Sequence, residues 1–92
     1  MFVQREENQK IGYFGSNEKN QTIELGDQVC LSLEDMPEVE VVAEVTQINM
    51  DKYHVKIVEF ESDDSTEKLP LKLGQALDIE SNLIQYCYKK EA

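Results

Sequence analysis

Hydrophobic and polar residues alternate along much of this chain, and the alternation predicts β-strands. Between Val39 and Thr46 the odd-numbered residues are all apolar, and the even-numbered residues are polar except for Val42. Successive side chains of a strand point to opposite faces, so a period of two is typical of a strand with one buried face. The valines strengthen this prediction, because β-branched residues favour extended backbone.

The same alternation resumes at Tyr53 and continues to Phe60. A short polar link, residues 49–52, separates the two segments and has the length of a hairpin turn. We therefore predict an antiparallel hairpin over residues 39–60. Shorter alternating segments elsewhere predict four more strands, so that the full set lies at 10–15, 22–33, 39–48, 53–60, 75–80 and 83–89.

The C-terminal segment allows two interpretations. Residues 76–88 fit a closing hairpin with a two-residue turn at Ser81 and Asn82. The alternative is a helix capped by Ser81, with Lys89 and Lys90 in its last turn, where cations stabilise the helix dipole. The isoleucine and tyrosines of the segment favour the strand, but the pattern leaves both interpretations open.

The length of 92 residues suits a single hydrophobic core. We expect one all-β domain over residues 1–92, a small curled sheet or barrel of six strands, with residues 1–9 flexible and residues 61–67 forming an acidic loop. The residues predicted to fill the core are Ile23, Val29, Leu31, Leu33, Val41, Ala43, Val45, Val55, Ile57, Leu77, Ile79 and Ile84.

Two segments, Leu25–Leu31 and Ala43–Phe60, resemble the opening turn and central hairpin of small SH3-like barrels, Tudor modules included. The resemblance implies a strongly bent sheet and a role in binding rather than catalysis. Of the aromatic cage of Tudor modules, only Tyr53 and Phe60 lie at matching positions. In size, acidity and lack of motifs, the chain is also similar to small accessory proteins of phages, plasmids and integron cassettes.

The charge of the chain narrows the possible partners. Nineteen acidic residues oppose nine basic ones, for a formal charge of −10, and residues 21–60 hold nine acidic residues against two lysines. Nucleic acids and anionic membranes are bound by clusters of Lys and Arg, so we expect neither as a partner. The acidity serves either solubility or complementarity to a cationic protein. We expect a protein partner with a basic surface.

Candidate catalytic and metal-binding residues are few. His54 is the single histidine and has no nucleophile motif nearby. Cys30 and Cys87 lack the close spacing of zinc ligands, and we expect Cys30 to be partly exposed. Residues 61–67 lack the glycine of a calcium-binding loop. We therefore expect no enzyme activity, cofactor or metal. The longest apolar runs have three residues, too few to span a bilayer, and no signal peptide is visible, so we expect a cytoplasmic protein with reduced thiols.

These observations favour a non-enzymatic protein-interaction module with an acidic surface, and the alternative is a stoichiometric inhibitor or DNA mimic that fills a cationic groove. A homodimer is also expected, because the second face of the hairpin carries further apolar side chains, those of Val42, Ile48, Val58 and Phe60. The candidate interaction surface comprises Glu38, Glu40, Glu44, Tyr53, Phe60, Tyr86 and Tyr88.

Overall fold

Each segment with alternating hydrophobicity forms a strand in the computed structural model, which describes residues 1–15, 21–62 and 69–90. The all-β prediction is confirmed, and the only helical element in these ranges is one 3-10 turn at Ser81–Leu83. Most of the predicted acidic loop, residues 63–67, lies outside the described residues. The strands are β1 (Gly12–Gly15), β2 (Gln28–Ser32), β3 (Glu40–Asn49), β4 (Lys52–Glu61), β5 (Ala76–Glu80) and β6 (Tyr86–Lys89).

The strands form one curled sheet in the order β1-β6-β2-β3-β4-β5. Neighbours run antiparallel except β1 and β6, which are parallel. The sheet does not close into a barrel, so β1 and β5 are its two edges. The hydrophobic core lies against one face, which we call the inner face, and the opposite face is the outer face.

The predicted closing hairpin is wrong, although its two strands exist. β5 pairs with β4, whereas β6 crosses to the other half of the sheet and lies between β1 and β2. The link between them buries Ile84 completely, and the Gln85 N–H donates a 2.9 Å hydrogen bond to the carbonyl of Cys30. Burial of the isoleucine and pairing with β2 outweigh the local tendency of adjacent strands to form a hairpin.

Two β-bulges in the β3–β4 hairpin change which residues face the core. The first leaves Val58 without a partner in β3 and shifts the alternation by one residue beyond it. Phe60, predicted to lie on the second face, instead pairs with Val41 and packs against the core. The second bulge, at Thr46, brings Ile48 to the inner face in the same way.

The inner face carries the predicted core. All the predicted core residues are buried except Leu77, which is half-buried and packs against the same cluster. The cluster also contains Val39, Leu71 and Cys87, which are not among the predicted core residues. The expectation that Cys30 is partly exposed is wrong, since its exposed fraction is 1%.

Residues 1–9, expected to be flexible, are held against the link between β5 and β6. The guanidinium group of Arg5 donates hydrogen bonds to the carbonyl oxygens of Gln9, Ser81 and Ile84 at 2.7, 2.8 and 2.7 Å. A guanidinium group has several donors in a fixed plane, so one side chain can hold three carbonyls at once. The single arginine of the chain is therefore a structural residue.

Candidate functional site

Three aromatic side chains form a cluster on the outer face, near the β1 edge of the sheet. Tyr86 and Tyr88 occupy alternate positions of β6, and Phe14 pairs with Tyr88 across β1 and β6. The ring centroid of Phe14 lies 5.8 Å from that of Tyr86 and 5.6 Å from that of Tyr88. Each of the three residues is 44% exposed, so the cluster presents an apolar surface to solvent.

A glycine beneath this cluster determines how the rings lie. Gly12 pairs with Tyr86, and a Cβ atom at position 12 would stand 2.9 Å from Cδ1 of the tyrosine ring. Because real Cβ atoms do not approach a carbon so closely, any larger residue would push the ring away from β1. An aromatic ring that covers a strand glycine is a known means of stabilising a sheet, and here it fixes the ring of Tyr86.

Two buried residues lie on the outer face beside the rings. Cys30 and Val42 are directly opposite each other on β2 and β3, and they are 1% and 4% exposed. Burial raises the pKa of the Cys30 thiol far above its usual value, and the neighbouring carboxylate of Glu40 raises it further. The thiol is therefore protonated at neutral pH, which makes it a poor nucleophile.

Glutamates follow on β3 and β4, on the side of Cys30 and Val42 away from the rings. Glu40 and Glu61 are direct cross-strand partners, and Glu59 is the partner of Val42. Like charges directly opposite each other destabilise a sheet. Burial raises the pKa of the Tyr88 hydroxyl, and acidic groups including Glu40 and Glu61 raise it further.

We name this region the aromatic–acidic surface, and it consists of Phe14, Tyr86, Tyr88, Glu40, Glu59 and Glu61. Sequence reasoning had singled out both of its tyrosines and Glu40. Glu44, also singled out, lies on the same face but is paired with Lys56 across β3 and β4.

The structure does not bring the other candidate residues to this surface. Tyr53 and Phe60 are partly buried and pack against the core on the inner face. Glu38 is exposed in the turn before β3. The alternation alone assigned Phe60 to the wrong face, because the bulge at Val58 could not be seen in it.

Phe14, Glu59 and Glu61 were not identified from the sequence. Phe14 reaches the tyrosines only through the parallel pairing of β1 with β6, which are far apart in the chain. Strict alternation from Ile57 would have placed Glu59 on the inner face, and the bulge at Val58 moves it to the outer one. The one available signal was the adjacent aromatic pair at residues 13–14 in a short strand pattern.

A buried ion pair on the other side of the sheet holds β6 in place. Nζ of Lys89 donates hydrogen bonds to the carboxylate of Asp27 at 2.5 Å, to Glu24 at 3.0 Å and to the carbonyl oxygen of Thr22. The Asp27 carboxylate also accepts hydrogen bonds from the backbone N–H groups of Glu24 and Lys90, at 2.9 and 3.1 Å. Asp27 is fully buried, and the Lys89 side chain is 2% exposed. The pair anchors the strand that carries the two tyrosines.

Both charges persist across the neutral pH range. Burial alone would raise the pKa of Asp27, but hydrogen bonds from Lys89 and from two backbone N–H groups outweigh it and lower the pKa from its ordinary value. Burial alone would lower the pKa of Lys89, but its hydrogen bonds to Asp27 and Glu24 outweigh it and raise the pKa from its ordinary value. Burial and the nearby Asp27 carboxylate raise the pKa of the Cys87 thiol to about 12.

Other polar groups do not assemble into a larger site within the described ranges. Nδ1 of His54 contacts the carboxylate of Asp78, its cross-strand neighbour on β5. No three His, Cys, Asp or Glu side chains of residues 1–15, 21–62 and 69–90 converge as metal ligands would. No helix in that part of the chain has the length and apolarity needed to cross a bilayer.

Comparison with known protein families, with characterised proteins and with solved structures gives no match.

Proposed function

We propose that this protein is a non-enzymatic interaction module, and that its aromatic–acidic surface binds a cationic segment of a partner protein. One observation carries the proposal: three exposed aromatic rings lie on the same face of the sheet as Glu40 and Glu61, two like charges that are direct cross-strand partners. Each feature has a cost in the free protein, since exposed rings are hydrated apolar surface and the two carboxylates repel. A cationic segment would relieve both costs at once.

The arrangement of the rings favours arginine over a single enclosed ammonium group. The ring of Phe14 packs against those of Tyr86 and Tyr88, with centroids under 6 Å apart in both pairs, so the three rings form a continuous surface rather than a cage. A planar guanidinium group stacks on such a surface and can pair with a carboxylate at the same time. We therefore expect arginine-containing segments to bind more tightly than lysine-containing ones.

A competing function is stoichiometric inhibition or DNA mimicry, in which the overall acidity rather than the rings provides the binding energy. The two functions differ in their dependence on salt. Exposed charges are screened beyond about 10 Å at 0.1 M ionic strength, so a mimic loses most of its affinity as salt rises. Stacking on the rings is less sensitive to salt, and an interaction module retains affinity that depends on Tyr88.

The test is an NMR titration of the protein with capped hexa-arginine, hexalysine and hexaglutamate peptides. We expect amide shift changes at Phe14, Tyr86 and Tyr88, tighter binding of hexa-arginine than of hexalysine, and no binding of hexaglutamate. Replacement Tyr88→Ala should weaken hexa-arginine binding by about 2–5-fold, the value of one exposed cation–π contact. Amide shift changes spread evenly over all the acidic residues would contradict the proposal.

A matched pair of charge variants separates the site from the general acidity. Glu61→Gln removes one member of the like-charge pair, whereas Asp51→Asn removes an exposed charge in the β3–β4 turn. Both variants change the net charge by the same amount. Glu61→Gln should weaken binding more than Asp51→Asn does, and equal effects would favour the mimic.

A further inference from the structure

Strand β5 leaves one side of its backbone open. Within the described part of the chain its only hydrogen-bonded neighbour is β4. In an antiparallel ladder, residues bonded to the neighbour alternate with residues whose N–H and C=O groups point away from it. The N–H of Ile57 donates to the carbonyl of Gln75 at 3.0 Å, just before β5 begins. By alternation, the backbone groups of Ala76, Asp78 and Glu80 point to the open edge.

The side chains of β5 restrict what could pair with this edge. Asp78 and Glu80 are exposed on the outer face, where His54 and Lys52 are their partners on β4, whereas Leu77 is half-buried on the inner face. Residues directly opposite each other in neighbouring strands share a face, and opposite charges there are favourable. An added strand would therefore place basic residues opposite Asp78 and Glu80 and an apolar residue opposite Leu77.

A cavity beside β5 supports the same chemistry. Its volume is about 260 Å³, and its lining includes Lys52, Asp78, Glu80 and Asn82. Two of these residues are carboxylates and one is a lysine, so the lining carries a net negative charge, which favours a cationic side chain.

We propose that an extended segment of a partner protein, in which basic and apolar residues alternate, adds to the sheet as an antiparallel strand beside β5. A second copy of this chain is a poor occupant. The two-fold pairing that uses Ala76, Asp78 and Glu80 places Asp78 opposite itself, and each copy carries a formal charge of −10. Charged edges protect sheets from pairing with themselves, and here the same charges select a basic partner strand.

This interaction is independent of the function proposed above. The aromatic cluster lies at the β1 edge, and β5 is at the opposite end of the strand order. Shift changes in an NMR titration therefore distinguish the two surfaces. Binding at one surface neither requires nor excludes binding at the other.

The probe is the capped peptide Lys-Val-Lys-Val-Lys, with Glu-Val-Glu-Val-Glu as the charge control. Two N-methylated versions of the lysine peptide test the backbone pairing. Lysines opposite Asp78 and Glu80 would direct their own N–H groups toward β5, so methylation of the lysine amides should weaken binding at least about tenfold. Methylation of the valine amides, which point away, should leave binding within about twofold.

Two variants test the same contact from the protein side. Asp78→Ala removes the charge but keeps the N–H, whereas Asp78→Pro also removes the N–H that points to the open edge. We expect the proline variant to bind the lysine peptide at least about tenfold more weakly than the alanine variant. If Asp78→Pro does not fold, the two methylated peptides decide the question with the unmodified protein. Equal binding of those peptides, or shift changes centred away from β5, would overturn the proposal.

Discussion

The buried pair of Asp27 and Lys89 allows the most demanding test of the structure. Lys89→Met keeps an unbranched side chain of similar length but leaves the Asp27 carboxylate without its cation in a fully buried site. The remaining partners of the carboxylate are two backbone N–H groups and the Cys87 thiol, whose sulfur lies 3.8 Å from Oδ2. Neutral or weak donors cannot replace an ammonium group at 2.5 Å.

The expected cost follows from the burial. Removing one partner of a buried ion pair typically lowers the free energy of unfolding by about 3–5 kcal/mol, because the other charge stays buried and unpaired. The total free energy of unfolding of a small domain is about 5–15 kcal/mol. Lys89→Met should therefore remove a large fraction of the stability and leave part of the protein unfolded at 37 °C if the total lies at the lower end.

The measurement is urea unfolding followed by circular dichroism. Lys90→Met is the matched control, because its side chain is exposed one residue further on, and it should change the stability by less than about 0.5 kcal/mol. The double variant Asp27→Asn with Lys89→Met removes both charges and should be no less stable than Lys89→Met alone. If Lys89→Met costs less than about 1 kcal/mol, the buried pair does not anchor β6 and the reasoning fails.

Three further outcomes can be checked. Because the pKa of Asp27 is lower in the folded state than in the unfolded chain, the stability difference between wild type and Asp27→Asn should be constant at pH values above the unfolded-state pKa and shrink as the pH falls through the folded-state pKa. Urea unfolding across an acidic pH series measures this difference. Gly15→Ala should destabilise the protein more than Gly74→Ala, as measured by thermal unfolding. Both glycines have positive φ, but a Cβ atom added at position 15 would lie 2.6 Å from the Lys89 carbonyl oxygen, whereas one added at position 74 would lie 4.0 Å from the nearest atom. Phe60→Glu should unfold the protein because Phe60 packs against the core, whereas Tyr88→Glu should leave it folded and convert any homodimer to monomer in sedimentation equilibrium at tens of micromolar.

Local patterns were sufficient for the strands and for most of the core. Alternation depends only on which face of a strand is buried, so it located the strand around Val41 and Val45 within a residue of its ends. The turn before β2 depends instead on one residue type, since Gly26 has a φ of 89° and glycine tolerates left-handed backbone. The two β-bulges could not be predicted, because a bulge depends on how two strands pair and not on either strand alone.

The candidate site was only partly predictable for the same kind of reason. Tyr86 and Tyr88 stand out as aromatic residues at alternate positions of one strand. Phe14 joins them because β1 pairs with β6, a strand at the opposite end of the chain, and no local sequence pattern predicts that pairing. The face occupied by Glu59 depends on a single unpaired residue, Val58, so one bulge separates a buried glutamate from part of an exposed acidic cluster.

The position of β6 has a consequence for how the protein folds. The last strand along the chain lies inside the sheet, between β1 and β2. Until residues 86–89 are in place, β1 has no paired strand and β2 is paired only with β3. Arg5 likewise finds its carbonyl partners 76 and 79 residues further along. Contacts between distant residues slow folding, because the entropy of closing long loops is lost before any contact forms. A chain emerging from the ribosome would therefore build the β3–β4 hairpin early and complete its sheet only after β6 is free, which exposes the edges of β1 and β2 to other proteins until then.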